Sequence, residues 1–285
     1  MSEGFATRVA AAVATTGPLC AGIDPNRQLL ADWGLDDTPA GLRTFGLRCV
    51  EAFASVVPVV KPQVAFFERM GAAGLAVLEE VLGACRDAGL LVIADAKRGD
   101  IGSTMDAYAE AWLDPTSPLA ADAVTCVAYL GLGALQPALD LAAAGGKGVI
   151  VVVRSSNPEG RPLQEARTLA TAGDGPGAAV EDMLLGEIAD LNHGGLPVAG
   201  TVGAVIGATL EPSSFDLSGL GGVILAPGIG AQGGTAAGAG ALFAGCPAGT
   251  VLPSASRSLL AHGPDAGALR AAAAAECEAM ARALG

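Results

Sequence analysis

The feature that most constrains the fold is a repeated alternation between short apolar runs and longer segments with helical periodicity. The short runs have the length and composition of buried strands and are bounded by turn residues. The segments between them place apolar residues three and four positions apart, as amphipathic helices do. We predict strands at residues 18–25, 58–63, 121–128, 148–153, 198–206, 222–226 and 250–252, a further strand beginning at residue 90, and helices at residues 38–56, 66–88, 133–144, 178–192 and 266–284.

About eight strand-then-helix units of this kind predict a parallel sheet covered by helices. Eight units in 285 residues fit a single (β/α)₈ TIM barrel domain that spans residues 1–285. No linker-like composition separates the units, which argues against two domains. A doubly wound open sheet stays possible, because sequence patterns do not show whether a sheet closes.

Charge and cysteine content limit the partners and the compartment. The net charge of -13 argues against nucleic acid or an anionic membrane as a partner. Residues 217–256 carry no charge, but glycines and prolines interrupt them throughout, so we predict no membrane helix there. The six cysteines are scattered, which is typical of free thiols in a reducing compartment and predicts a cytoplasmic protein. Two histidines without a metal-binding motif predict no histidine-based metal site.

The start of the chain, residues 1–17, favours an amphipathic first helix. A signal peptide is the weaker interpretation, because the apolar core is short and the charges before it are mixed.

Three charged residues follow the apolar run that begins at residue 90. Asp95, Lys97 and Asp100 lie within six residues, and alternation along an extended chain would point Asp95 and Lys97 to the same side. Charges this dense at a buried strand end are costly to desolvate unless they pair. They could form a salt-bridged strand end and nothing more, or they could carry acid–base chemistry.

Polar residues also follow several other predicted strands, where a barrel would place them on one rim. Any one of them could be a turn residue or a solvated charge, but their common placement favours a single site. These residues are Asp24 after the first strand, Lys61 after the second, Ser155 and Ser156 after the fifth, Gln232 after the seventh and Arg257 after the eighth.

Residues 228–233 match the pattern G-x-G-x-x-G after a predicted strand, so a dinucleotide site must be considered. Two facts count against it: the motif lies in the seventh unit, and no Asp or Glu lies between Ser218 and Pro264 to hold a ribose. A phosphate cradle fits better, because glycines let backbone N–H groups approach an anion and barrels often bind phosphate after strands seven and eight. Arg257, which has no acidic neighbour in this span, can grip a phosphate.

The ordered set of these segments resembles the orotidine 5'-phosphate decarboxylase family along almost the whole chain. The resemblance rests on Asp-x-Lys-x-x-Asp-Ile-x-x-Thr from Asp95, on residues 21–25, 61–63, 155–158 and 226–233, and on the segment around Arg257. The length and residues 66–101 look like the longer bacterial form. The resemblance implies a (β/α)₈ barrel, a homodimer without metal or organic cofactor, and conversion of orotidine 5'-phosphate to uridine 5'-phosphate and CO₂ in de novo pyrimidine biosynthesis.

The same resemblance implies roles for individual residues. Lys97 would stabilise and then protonate a carbanion at C6 of the pyrimidine. The catalytic residues implied are Lys61, Asp95, Lys97 and Asp100. The substrate-binding residues implied are Asp24, Ile101, Thr104, Ser155, Ser156, Pro227, Gln232, Ser256 and Arg257.

Within that set, the ribose hydroxyls would contact Asp24 and Lys61, and the 5'-phosphate would contact Gln232 and Arg257. The pyrimidine would meet Ser156, although Ser155 is an alternative. Residues from one subunit would also complete the site of the other, and these are Asp100, Ile101 and Thr104. Some family members place a tyrosine on the phosphate, but Tyr108 and Tyr129, the only tyrosines here, lie far along the chain from Gln232.

Two other functions stay open. Sister enzymes with this barrel share Asp-x-Lys-x-x-Asp and act on sugar phosphates with Mg²⁺ held by carboxylates. A non-catalytic phosphate- or dinucleotide-binding protein would not need Lys97. The serine pair and the glutamine-bearing glycine loop favour a nucleotide substrate. Residues 158–177, predicted as a long loop, and residues 212–217, predicted as a short helix or turn, have no assigned role.

Overall fold

The computed structural model describes residues 3–169, 177–211 and 216–285, and within them eight parallel strands close into a barrel. Each strand pairs with the next in chain order, and the first pairs with the last. The strands are β1 (Cys20–Ile23), β2 (Val59–Pro62), β3 (Leu91–Arg98), β4 (Ala123–Cys126), β5 (Gly148–Arg154), β6 (Val202–Ile206), β7 (Ile224–Pro227) and β8 (Val251–Ala255). The predicted barrel is confirmed, and the alternative of an open sheet is wrong.

Helices surround the barrel and connect successive strands, except that none of the described residues between β6 and β7 forms a helix. They are α1 (Phe5–Thr16), α2 (Arg27–Asp32), α3 (Pro39–Phe53), α4 (Ala65–Glu68), α5 (Gly71–Asp87), α6 (Gly102–Leu113), α7 (Gln136–Gly145), α8 (Arg161–Gln164), α9 (Val180–Asp190), α10 (Ala236–Leu242), α11 (Arg257–Leu260) and α12 (Ala266–Leu284). In the described part of the chain, none of these helices combines the length and the apolar character needed to cross a membrane.

Apolar side chains fill the barrel and close one of its ends. Every strand contributes to a buried interior cluster that contains Cys20, Val59, Ile93, Ala123, Ile150, Val205, Leu225 and Leu252. Phe5 and Val9 of α1 belong to the same cluster, so α1 covers the N-terminal ends of the strands. Gly148 makes room for this helix, because a Cβ there would lie 2.5 Å from the Phe5 ring. The C-terminal ends of the strands are therefore the accessible end of the barrel.

The single helix predicted at residues 66–88 is two helices. α4 ends at Glu68, and α5 begins at Gly71, where φ is +62°. Residues with a side chain rarely adopt this left-handed conformation, so the glycine permits the chain to turn between the helices. The apolar periodicity continues across the turn, which is why the pattern alone does not reveal it.

Short helices are the other difference from the sequence prediction. The sequence does not predict α2, α10 or α11. Each has seven residues or fewer, which is too short for a helical periodicity of apolar residues to be recognised. The long loop predicted at 158–177 contains α8 and a 3₁₀ turn at Pro158–Gly160. Residues 170–176 of that segment, and residues 212–215 of the turn predicted at 212–217, lie outside the described residues.

Candidate active site

A cavity of about 640 Å³ opens at the C-terminal ends of the strands. Its size fits a small-molecule ligand. The predicted site residues that line it are Asp24, Lys61, Asp95, Lys97, Ser155, Ser156, Pro227, Gln232, Ser256 and Arg257. The structure thus brings together residues from six strands and the loops that follow them. The other three predicted residues, Asp100, Ile101 and Thr104, do not line this cavity.

A compact ionic cluster forms one wall of the cavity. Asp95 is 7% exposed, and its Oδ2 accepts hydrogen bonds from the Lys61 ammonium and the Gln63 amide, both at 2.9 Å. Its Oδ1 accepts hydrogen bonds from the Lys97 ammonium at 2.6 Å and the Thr125 hydroxyl at 2.9 Å. Four donors therefore hold this one carboxylate. Lys61 lies within β2, and Asp95 and Lys97 lie within β3, rather than after these strands.

The charges in this cluster stabilise one another. Burial alone would raise the pKa of Asp95, but the positive charges of Lys61 and Lys97 outweigh it and hold that pKa well below its usual value. Burial also disfavours the charged form of Lys61, but Asp95 and Asp24 raise its pKa above the ordinary value. Asp95 and Lys61 are therefore both ionised at neutral pH. Of the three charges predicted at this strand end, Asp95 and Lys97 form an ion pair.

The two lysines differ in access to the cavity. The Lys61 side chain is buried, whereas the Lys97 side chain is 50% exposed. Lys97 can therefore meet a ligand while Asp95 holds its ammonium in place. An ammonium group fixed in this way can stabilise negative charge that develops nearby and can donate a proton.

The backbone at Lys97 departs from the extended conformation that alternation assumes. Its φ is +49°, in the left-handed region that a residue with a side chain seldom occupies. Ala94 pairs with Val124 and Arg98 with Cys126, so an advance of four residues along β3 corresponds to an advance of only two along β4. Lys97 therefore lies in a bulge, and its meeting with Asp95 depends on that bulge rather than on simple alternation.

Two donors to Asp95 were not among the predicted site residues. Gln63 belongs to residues 61–63, one of the segments that carry the family resemblance. Its position directly after β2 could therefore have identified it as a site residue. Thr125 is 1% exposed and lies in the apolar strand β4. A hydroxyl in such a strand is common and gives no sequence signal of its own.

Asp24 presents an unused acceptor at the cavity. Among the described residues, its Oδ1 is buried without a hydrogen-bond partner. A buried acceptor without a partner is unfavourable, so such groups usually indicate a missing ligand or water. A ligand hydroxyl in the cavity could donate to this oxygen.

The two serines after β5 have different partners. Gln164 of α8 donates to the Ser155 hydroxyl at 2.9 Å and accepts from the Ser155 backbone N–H at 3.2 Å. The Ser156 hydroxyl instead donates to the Gln232 amide oxygen at 3.2 Å. Ser156 is therefore the serine whose hydroxyl joins the glycine loop across the cavity.

The far wall of the cavity consists of the glycine loop and the start of α11. Gly228, Gly230 and Gly233 all have positive φ, which lets this loop fold back tightly after β7. Arg257 is exposed and, within the described ranges, its side chain makes no hydrogen bond or ion pair. Its guanidinium is available to an anion.

Ser256 precedes Arg257 and lies against β1. A Cβ on Gly22 would come within 1.8 Å of the Ser256 hydroxyl oxygen, so the glycine provides the space that this side chain occupies. Ser256 thus reaches the cavity wall only because β1 has no side chain at that position.

The loop after β3 carries the three predicted residues that lie outside the cavity. Asp100 accepts a hydrogen bond from the neighbouring Ile101 backbone N–H at 2.8 Å. In the described part of the chain, Asp95 is the carboxylate that contacts the Lys97 ammonium, and Asp100 does not. Ile101 and Thr104 are exposed. None of the three completes the cavity of its own chain.

The described residues also bear on metal binding. They contain no group of three or more His, Cys, Asp or Glu side chains arranged to hold a metal ion. In addition, four protein donors bind the two oxygens of Asp95.

Comparison with known proteins agrees with this geometry. The sequence model of the Orotidine 5'-phosphate decarboxylase / HUMPS family matches residues 17–272. The chain is 52% identical over 271 residues to the orotidine 5'-phosphate decarboxylase of Salinispora arenicola and 51% identical over 275 residues to that of Corynebacterium efficiens. Each of these alignments covers 95% of both chains.

Solved structures give the same result. A crystal structure from Streptomyces avermitilis, described as a candidate orotidine 5'-phosphate decarboxylase, has a TM-score of 0.92 and 48% sequence identity, with 99% of this chain and 96% of that chain covered. Leishmania donovani OMP decarboxylase has a TM-score of 0.74 and 30% identity, with 98% of both chains covered. The barrel, the cluster around Asp95 and these similarities lead to one conclusion: this chain belongs to the orotidine 5'-phosphate decarboxylase family.

Proposed function

We propose that this protein converts orotidine 5'-phosphate to uridine 5'-phosphate and CO₂ in de novo pyrimidine biosynthesis, with Lys97 as the group that stabilises and protonates C6. The observation that carries the proposal is the Lys97 ammonium, which is half exposed in the cavity and fixed by Asp95 at 2.6 Å. Relatives about 50% identical over 95% of the chain bear the name of this enzyme.

The chemistry requires a cation at one point. When the bond between C6 and the carboxylate carbon breaks, its electron pair stays on C6 and CO₂ leaves. The pyrimidine offers this carbanion no conjugated electron sink, so a nearby positive charge lowers the barrier most. Lys97 then donates a proton to C6 and is reprotonated from solvent. Asp95 and Lys61 keep the Lys97 ammonium in position throughout.

The cavity walls suggest how the rest of the nucleotide binds. Asp24 would accept a hydrogen bond from a ribose hydroxyl, which satisfies its buried Oδ1. Ser156 would meet the pyrimidine, with Ser155 held back by Gln164. Gln232 and Arg257 would hold the 5'-phosphate beside the glycine loop.

Two further wall residues complete this arrangement. Pro227, at the end of β7, and Ser256, at the end of β8, would border the nucleotide between the pyrimidine and the phosphate.

The enzyme would act as a homodimer. Asp100, Ile101 and Thr104 lie on the rim, and Ile101 is 62% exposed. The neighbouring loop after β4 exposes Tyr129 at 79% and Leu130 at 53%. Large apolar side chains exposed on adjacent loops favour a covered surface. In the dimer, Asp100, Ile101 and Thr104 would complete the partner's site.

The domain organisation, the location and the cofactor requirement concern the chain as a whole. Residues 1–285 would form one domain, since α1 closes the barrel and α12 packs beside α3 and α10. The six cysteines are free, which favours a cytoplasmic location. The reaction would need no metal or organic cofactor, since protein donors already occupy the oxygens of Asp95 that a Mg²⁺ ion would use.

The deciding experiment follows the ultraviolet absorbance of orotidine 5'-phosphate mixed with the protein and EDTA, beside a Lys97→Ala variant. We expect rapid loss of the substrate spectrum with the wild type and none with the variant. No change with either protein, together with turnover of a sugar phosphate once Mg²⁺ is restored, would favour the sister enzymes. Equal nucleotide affinity in both proteins without any turnover would indicate a binding protein.

A further inference from the structure

Thr125 makes two hydrogen bonds that both end on the reactive part of β3. Its hydroxyl oxygen accepts the Lys97 backbone N–H at 3.0 Å, and its hydroxyl proton goes to Asp95 Oδ1, 2.9 Å away. The same Asp95 oxygen accepts the Lys97 ammonium at 2.6 Å. The three residues form a closed ring of hydrogen bonds in which both ends of Lys97, the backbone and the ammonium, are held.

The bulge in β3 explains why the Lys97 backbone N–H needs the Thr125 hydroxyl as its acceptor. Between Ala94 and Arg98 the regular pairing of β3 with β4 is interrupted, so the Lys97 N–H does not enter the strand ladder. A buried N–H group without a partner is unfavourable. Thr125 supplies from its side chain the acceptor that the β4 backbone no longer provides.

The backbone conformation of Lys97 also needs contacts that hold it in place. A lysine at φ +49° is strained and persists only where its surroundings fix it. The Thr125 hydroxyl is the group that contacts the Lys97 backbone and the Asp95 carboxylate at once. Thr125 is 1% exposed, so water does not compete for these bonds.

We propose that Thr125 is a positioning residue for the decarboxylation, which holds the strained backbone of Lys97 and the carboxylate of Asp95 so that the Lys97 ammonium faces C6. This inference rests on the proposed function, because it concerns the same ammonium group. Thr125 itself does not line the cavity. Loss of its hydroxyl should therefore affect the chemical step more than substrate binding.

The test compares Thr125→Val, which keeps the shape and removes the hydroxyl, with Thr125→Ser, which keeps the hydroxyl. We expect Thr125→Val to lower kcat about 10- to 100-fold with KM for orotidine 5'-phosphate within about 3-fold of wild type, since a small displacement of a catalytic group has effects of this order. Thr125→Ser should restore kcat to within about 3-fold of wild type.

Thr201→Val is the matched control. Thr201 is also fully buried, but its hydroxyl donates to Val198 before β6, away from the cavity. This variant should lose thermal stability while both kinetic constants stay unchanged. If Thr125→Val does not fold, Thr125→Ala is measured by the same two constants.

Each outcome decides the proposal. An unchanged kcat in Thr125→Val, a change confined to KM, or an equal loss in Thr125→Ser would overturn the positioning role while wild-type turnover leaves the proposed function standing. Wild-type protein that does not turn over orotidine 5'-phosphate would overturn both.

Discussion

At one end of the cavity, Asp95 is buried and both its oxygens already accept hydrogen bonds from the chain; at the other, Arg257 is exposed and has no ionic partner in the described residues. The first end is built from strands, with residues of β2, β3 and β4 in contact. The second is built from a glycine loop and the first residue of a short helix.

This difference separates two tasks. The end with Asp95 is ordered before any ligand arrives, so the reactive ammonium does not need to reorganise during the chemical step. The end with Arg257 is completed by the ligand, which supplies the anion that the chain lacks. Binding energy from the phosphate can then contribute to the reaction at a distance. The following changes test this division.

The largest effect should come from Lys97→Ala. Because this change removes both the stabilising charge and the proton donor, we expect kcat to fall by at least about 10⁴-fold. The affinity for uridine 5'-phosphate should change by less than about 10-fold, since that product has no carboxylate at C6. Turnover assays and calorimetric titration measure the two quantities. Lys147→Ala, at the opposite end of the barrel, is the control and should keep full activity.

Arg257→Ala should have the next largest effect, and mainly on binding. Loss of two charge-assisted hydrogen bonds to a phosphate should lower kcat/KM by about 10²- to 10⁴-fold. Uridine, which has no phosphate, should bind both proteins equally. Arg270→Ala, which removes an exposed arginine of α12, should leave kcat/KM unchanged. Equal weakening of uridine and uridine 5'-phosphate would contradict the assignment of Arg257 to the phosphate.

Asp95→Asn should lower the stability of the protein, because it removes a buried charge at the end of the cavity that is ordered without a ligand. Removing one partner of a buried ion pair leaves the other charge uncompensated, so we expect the free energy of unfolding to fall by about 3–5 kcal/mol in urea denaturation. The control is Glu80→Gln, which removes an exposed carboxylate paired with Arg43 and should change the midpoint little. Similar losses in both variants would show that the cluster around Asp95 adds no special stability.

The smallest effect is a dependence on acid pH. The folded chain holds the pKa of Asp95 below its usual value, so the unfolded chain binds a proton there first as pH falls. Stability from this group is complete above about pH 5 and should drop by roughly 1 kcal/mol by pH 3. Lys61, whose pKa is raised, loses its contribution only in alkali. Urea denaturation at pH 7 and pH 3 should show the stability difference between wild type and Asp95→Asn shrinking by that amount.

Sequence reasoning was strongest where local chemistry and fold agree. The apolar runs predicted the strands, and the polar residues after them predicted the cavity, because a parallel barrel places the ends of all its strands together. Asp95 and Lys97 are two residues apart and do meet. Arg257 stood out because its neighbourhood contains no acid.

The sequence failed where contacts cross between strands or depend on the backbone. Thr125 is 28 residues from Lys97, and only the register of β3 on β4 brings them together. The left-handed φ of Lys97 and the turn at Gly71 are local exceptions inside regular patterns. Gln164 lies in a segment whose composition resembles a loop, so nothing marked it as the partner of Ser155.

The four donors around Asp95 also bear on how this barrel can acquire new activities. Since they come from β2, β3, β4 and the residue after β2, most random changes at this end would destabilise the buried cluster or damage its chemistry. In the described part of the loops after β5 and β7, no side chain is buried and held by four donors as Asp95 is. Directed evolution toward other nucleotide bases should therefore succeed by altering those loops and leaving the lysines and Asp95 in place.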